Sequence, residues 1–138
     1  MLFTKSTAYT LQALIELSKF DKPVDVTRLS ELTDIPKPFL AKLLQNLSRE
    51  NFIKSFKGIH GGFMIVKKPE EIKMIDIFKA MEDKDSLVFH CSSNQDNCVR
   101  NRSSVCNTMP FFCMLEKEFL HIMEKYTLAD AIRMNTVK

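Results

Sequence analysis

Apolar and polar residues alternate along this chain with changing period, and the changes mark its elements. Between Ser6 and Phe20, Leu11, Leu14, Ile15 and Leu17 recur at three- and four-residue spacing, joined by Ala13 and Phe20. One buried helix face has that period, so an amphipathic helix is predicted there, ended by Asp21-Lys22-Pro23. A shorter helix is predicted over Thr27–Leu32, with Asp25 or Val26 near its cap and Leu29 and Leu32 turned inward. After the turn Asp34-Ile35-Pro36, a third helix is predicted from about Pro36 to Glu50. Proline fits the first turn of a helix, where an N–H has no intrahelical partner to lose. Leu40, Leu43, Leu44 and Leu47 form its apolar face, leaving Lys37, Phe39, Lys42, Gln45, Asn46 and Arg49 around the other side.

The character of the chain then changes. Phe52–Phe56 and Phe63–Val66 are β-prone runs, separated by Lys57-Gly58-Ile59-His60-Gly61-Gly62, which holds all three glycines of the chain. Two short helices joined by a tight turn form a helix-turn-helix, and a glycine-rich hairpin directly after it is a wing. Beyond Lys68-Pro69, the residues Ile72, Ile75, Ile77, Phe78 and Met81 predict a fourth helix ending near Glu82. From Asp83 to Pro110 the periodicity dissolves into Ser, Asn, Asp and Cys, and a stretch this long without its own elements is functional or disordered. Phe111–Tyr126 is again a long amphipathic helix, and Thr127-Leu128-Ala129-Asp130 reads as a capping box opening a last one. The expected fold is mostly α with a small β wing: a winged helix-turn-helix over 1–82, a cysteine-bearing segment over 83–110, and a long helix plus C-terminal helix over 111–138.

Composition narrows the function classes. At 138 residues and 45% apolar content the chain can bury a real core. No apolar run approaches the roughly 18–20 residues that span a bilayer, so no membrane partner is expected. The N-terminal segment Met1–Ser6 has no signal-peptide pattern, so a cytoplasmic protein is expected. Residues 1–68 carry eleven Lys/Arg against six Asp/Glu, a net of +5, while 69–138 carry nine against eleven, a net of −2. A basic first half suits a polyanion partner and equally suits a solvated surface. No Ser/His/Asp set, phosphate loop or carboxylate pair suggests an enzyme.

Two constellations carry chemistry. On the third helix, Gln45 and Asn46 can exchange hydrogen bonds with base edges, and Lys37, Lys42 and Arg49 suit phosphates or guanine. Phe39, early in that helix and off the leucine face, is either a DNA contact or an edge of the core. Lys57, at the base of the wing, is placed for a phosphate or the minor groove. The second constellation is Cys91, Cys98, Cys106 and Cys113, at intervals C-x6-C, C-x7-C and C-x6-C. Structural zinc prefers pairs two to four residues apart, and a cytosolic chain disfavours permanent disulfides. Thiolates spread along a loop suit an iron–sulfur cluster. The alternatives are unrelated thiols, a reversible disulfide switch, or a metal-binding interaction module that never meets DNA.

These motifs resemble the Rrf2 family of bacterial winged-helix regulators. The likeness is carried by Pro36-Lys37-Pro38-Phe39-Leu40-Ala41-Lys42-Leu43-Leu44-Gln45-Asn46-Leu47, by Ile53 to Phe63, by Pro69-Glu70-Glu71-Ile72, by the three cysteines Cys91, Cys98 and Cys106, and by Thr127–Asp130. The resemblance implies a transcriptional regulator acting as a homodimer on a palindromic double-stranded DNA operator. Lys37, Pro38, Phe39, Lys42, Gln45, Asn46 and Arg49 would lie along the major groove. Lys57, Gly58, His60, Gly61 and Gly62 would form the minor-groove wing, and Lys5 and Tyr9 would touch phosphates. The long helix would cross its mate through Phe112, Leu115, Phe119 and Ile122. Cys91, Cys98 and Cys106 would hold a two-iron or four-iron cluster whose state tunes DNA affinity. Some relatives add a histidine three residues past the third cysteine, or an acid from the partner's first helix. This chain has Met109 and Ala8 there, which makes Cys113 the substitute ligand. Ile59 and His60 stand in the wing where proline and glycine are usual.

Overall fold

The computed structural model describes residues 3–82 and 103–136. Helix α1 (Lys5–Leu17) opens at Thr4, whose side chain accepts the Thr7 N–H, and buries Ala13, Leu14 and Leu17. It ends three residues before the predicted Phe20. Ser18, Lys19 and Phe20 send their N–H groups back to the carbonyls of Leu14, Glu16 and Leu17, and Phe20 packs onto the core from outside the helix. Helix α2 (Val26–Thr33) is capped by Asp25, which accepts the Arg28 N–H at 2.9 Å. Leu29 is buried as expected, but Leu32 is 38% exposed and corrects the prediction that it faces inward. Thr33, four residues after Leu29, shares the buried stripe, and its hydroxyl donates to the Leu29 carbonyl at 2.8 Å.

The turn between α2 and α3 (Lys37–Arg49) is fixed by three local devices. Asp34 adopts the left-handed conformation (φ 56°) and donates its N–H to the Ser30 carbonyl. The Ser30 hydroxyl donates to the Ile35 carbonyl at 2.6 Å, and Gln12 of α1 donates to the Thr33 carbonyl at 2.8 Å. Helix α3 then buries Leu40, Leu43, Leu44 and Leu47, all four leucines of the predicted face.

The wing is an antiparallel hairpin, β1 (Ile53–Phe56) with β2 (Gly62–Ile65), in which Ile53 faces Ile65 and Phe56 faces Gly62. Val24, just before α2, adds a bridge by exchanging both backbone hydrogen bonds with Phe63 at 2.9 and 2.8 Å. That bridge explains Gly62, which has φ +146° and lies so close to Val24 that a Cβ would sit 2.4 Å from its carbonyl. Gly61 is equally constrained, since a Cβ there would sit 2.3 Å from the Phe56 oxygen.

After a single 3-10 turn at Pro69–Glu71 come α4 (Met74–Met81), α5 (Met109–Lys125) and α6 (Leu128–Thr136). Helix α5 starts two residues before the predicted Phe111, with Pro110 in its first turn and Met109 buried. The capping box is present as predicted: Asp130 accepts the Thr127 N–H at 2.8 Å, and the Thr127 side chain accepts the Asp130 N–H. The main core joins Leu14, Leu17, Leu29, Leu40, Leu44, Leu47 and Ile77 to Leu128, so α6 packs into the same core as the helix-turn-helix. Leu128 also donates its N–H to the Ile72 carbonyl at 2.8 Å, and Met74 donates to Tyr126 at 2.9 Å. A second, smaller core of Ile75, Phe78 and Met123 seats α5 on α4.

Candidate nucleic-acid interface and thiol segment

Burial on one side of α3 determines what its other side offers. With its leucines inward, Lys37, Pro38, Lys42, Gln45 and Arg49 are exposed and Asn46 is half-buried. Pro38, Lys42, Gln45 and Arg49 follow one another at three- and four-residue steps, so they form a single exposed line along the helix. The first turn of α3 carries no acid, and its cap, Pro36, offers no side-chain acceptor. Lys37 therefore adds to the positive end of the helix dipole, a combination that favours an anion.

Phe39 has a clear structural partner. Its ring meets the Tyr9 ring edge-on at 5.5 Å and 86°, which ties the first turn of α3 to the second turn of α1 while Phe39 stays 38% exposed. An edge-to-face pair of this kind contributes about 1 kcal/mol beyond its buried area. Lys5, one turn before Tyr9, is exposed. Lys57, Gly58 and His60 are exposed on the wing, and Gly61 and Gly62 are half-buried. Among the described residues, none of Lys5, Lys37, Lys42, Arg49 or Lys57 pairs with a carboxylate; the pairs there are Lys19–Glu16 and Arg133–Asp130. These cations have no carboxylate among the described residues to release before meeting a phosphate.

Sequence reasoning passed over Glu82 as anything but the end of a helix. Its carboxylate is buried and accepts three hydrogen bonds from the start of α1: the Thr4 N–H at 3.1 Å, the Thr4 hydroxyl, and the Thr7 hydroxyl at 2.6 Å. Helix α1 has no acid in its own first turn, so residue 82 supplies the negative charge its N-terminus favours. The sequence signal was an acid at the end of an apolar helix and two threonines at the start of another, with nothing to pair them.

Of the four cysteines, Cys91 and Cys98 lie outside the described residues. Cys106 is half-buried just before α5, with its sulfur 3.3 Å from the Thr108 hydroxyl. Cys113 is half-buried in the second turn of α5, with a free thiol. No three His, Cys, Asp or Glu side chains converge among the described residues. Four thiols could serve either zinc or an iron–sulfur cluster, and it is their intervals of six and seven residues, wider than the tight pairs of structural zinc, that fit iron–sulfur ligation better. Of the expected crossing residues, Phe119 packs partly on the second core and Phe112 and Leu115 are half-buried, while Ile122 is 48% exposed. Phe111 and Met114, not singled out from the sequence, are exposed by 56% and 48% on the same helix.

A recognition-type helix, a bridged glycine wing and a long C-terminal helix are the parts of one family architecture. The family model of the Rrf2 iron-dependent transcriptional regulators matches residues 3–134. The chain belongs to the Rrf2 family. A regulator named NsrR from Halalkalibacterium halodurans is 30% identical over 135 residues, spanning 96% of this chain and 90% of that protein. Protein rrf2 from Nitratidesulfovibrio vulgaris is 27% identical over 135 residues, spanning 96% of this chain and 88% of its own length. Among solved structures, IscR of T. potens superposes with a TM-score of 0.74 at 21% identity, covering 96% of this chain and 87% of that one. CymR, a global cysteine regulator of B. subtilis, also reaches 0.74, at 19% identity and covering 96% of both chains. The fold is therefore the winged helix-turn-helix of Rrf2 regulators, and the relatives are transcriptional regulators, not enzymes. Among the described residues no helix is long and apolar enough to cross a membrane.

Proposed function

We propose that this Rrf2 protein is a cytoplasmic homodimer that binds a palindromic DNA operator, with its affinity governed by an iron–sulfur cluster on the 91–113 segment. The observation that carries the DNA half is the exposed line Pro38, Lys42, Gln45 and Arg49 of α3, with no internal ion pair, followed at once by the wing. In this reading Gln45 and Asn46 read base edges, and Lys5, Tyr9, Lys37 and Lys57 hold phosphates. Residues 1–82 then form the DNA-binding unit, 83–110 the sensor, and 111–138 the dimer unit.

Cys91, Cys98 and Cys106 would hold the cluster, with Cys113 as fourth ligand; when bound, such a cluster supplies a redox-active centre. The ends of the cysteine segment are well placed to pass its state on. At one end Glu82 grips the start of α1; at the other Cys106 leads into α5, which lies on α4. A change between these anchors would bias the DNA-facing helices through packed contacts, shifting the population between two affinities.

The test is purification of the full chain without oxygen, followed by its visible spectrum, iron and sulfide counts, and DNA binding. A brown protein whose charge-transfer bands vanish in Cys91→Ala, Cys98→Ala and Cys106→Ala supports the cluster, and Cys113→Ala decides the fourth ligand. A protein that stays colourless after reconstitution with iron and sulfide overturns the cluster in favour of a thiol switch. DNA affinity that does not fall with salt overturns operator binding and leaves the interaction module.

A further inference from the structure

The most exposed large apolar side chain among the described residues is Ile59, 99% accessible at the tip of the wing. Its backbone is not loose. The Gly61 N–H donates to the Gly58 carbonyl at 3.0 Å, closing a turn in which Ile59 and His60 hold the two central positions. Gly58 on one side (φ +103°) and Gly61 and Gly62 on the other carry no side chains. The tip is therefore slender and presents only Ile59 and His60, with Lys57 behind them.

Isolated surface isoleucines are ordinary, but most keep part of their area against a neighbour. Ile59 gives the fold nothing, since even Phe56 nearby is only 38% exposed and Lys54 lies over its ring. What the geometry does supply is a branched apolar group on a narrow, hydrogen-bonded turn, flanked by a cation. B-DNA's minor groove is about 6 Å wide, room for such a tip but not for a helix. Proteins that enter it commonly press apolar side chains between base steps, and pyrimidine–purine steps unstack most cheaply.

We infer that Ile59 is a minor-groove wedge that gives this protein a preference for a deformable pyrimidine–purine step beneath the wing. The inference rests on the DNA-binding function proposed above and adds a determinant of sequence choice outside α3. Lys57 attracts any phosphate regardless of sequence; Ile59 discriminates by the cost of deforming the step it meets.

The experiment selects duplexes from a random-sequence library with the full-length wild-type chain and with Ile59→Ala, then measures affinities across a salt series. In the wild-type selection a TA or CA/TG step should recur at a fixed distance from the half-site read by α3. In Ile59→Ala that step should lose its enrichment while the half-site persists. Affinity for the wild-type duplex should fall about tenfold at every salt concentration, with the slope against log salt unchanged. Ile59→Phe should keep the step preference, and thermal melting of both variants should match wild type, because the side chain touches nothing in the fold. Equal affinity and equal step preference in Ile59→Ala would overturn the wedge while leaving operator binding intact. A flattened salt slope would also overturn it, by making the tip an electrostatic contact. If the wild-type chain enriches no sequence, the DNA-binding function falls and the wedge with it.

Discussion

Thr10 is fully buried in α1, and its hydroxyl has no hydrogen-bond partner among the described residues. A buried hydroxyl without a partner costs about 1–3 kcal/mol relative to one in water. Thr10→Val keeps the branched shape and removes the polar atom, so it should raise unfolding free energy by about 1 kcal/mol in urea titration. A loss of stability would show that a water satisfies the group. Other single residues were readable in advance. Asp25 stands at an N-cap because a short acceptor before an apolar run can take an orphan N–H, and Thr127 with Asp130 does so reciprocally. Asp34 in a left-handed turn and Glu82 under α1 were not readable, because the first is a position usually given to glycine and the second depends on a contact between distant segments.

At the scale of elements, the hairpin depends on the close approach of Val24 to Gly62. A methyl group there meets backbone at 2.4 Å and cannot be relieved by a rotamer change, so Gly62→Ala should destabilise the protein by at least about 2 kcal/mol. Loss of hydrogen-exchange protection at Phe63 should accompany it, and wild-type protection in the variant would contradict the bridge. Helix α6 yields a pH prediction. The Asp130 carboxyl is held below its ordinary value of 3.8, first by the Thr127 N–H and then by the Thr127 hydroxyl; desolvation opposes them, and Arg133 adds smaller lowering contributions. A depressed carboxyl stabilises the fold above its unfolded pKa and loses that contribution as pH falls through the folded value. The start of α6 should therefore loosen only below about pH 4, followed by amide protection at Ala131, and Asp130→Asn should remove that acid step. The helices were legible because their leucines repeat in register, and the wing because its glycines cluster. Leu32 was misread because a two-turn helix buries only a narrow stripe, and Thr33 closes it better.

For the whole molecule, the feature that stands out among the described residues is the apolar surface that α5 leaves exposed. Phe119 is partly occupied by the second core, while Phe111, Met114 and Ile122 stay about half exposed. Exposed apolar residues repeating along one helix mark an interaction face. Paired charges there, Met114→Glu with Ile122→Glu, should convert a dimer to a monomer by light scattering and leave the helical content unchanged. A wild-type chain already monomeric at micromolar concentration would overturn the proposed homodimer, and a variant that stays dimeric would place its surface elsewhere. The sequence marked α5 as amphipathic but not how its apolar residues divide between neighbours, because periodicity shows a face and not its occupant.

The bond from Glu82 to Thr4 spans 78 residues, and Leu128 fills a gap in a core begun by Leu14. Both have a consequence during synthesis. At the usual ribosomal pace of about 5–20 residues per second, the first helix waits roughly 4–16 s for the acid that completes its N-terminus. The nascent helix-turn-helix remains unsealed until residue 128 has emerged. A message truncated before that codon should thus yield a chain that chaperones and proteases find, rather than a small, independently folded helix-turn-helix fragment.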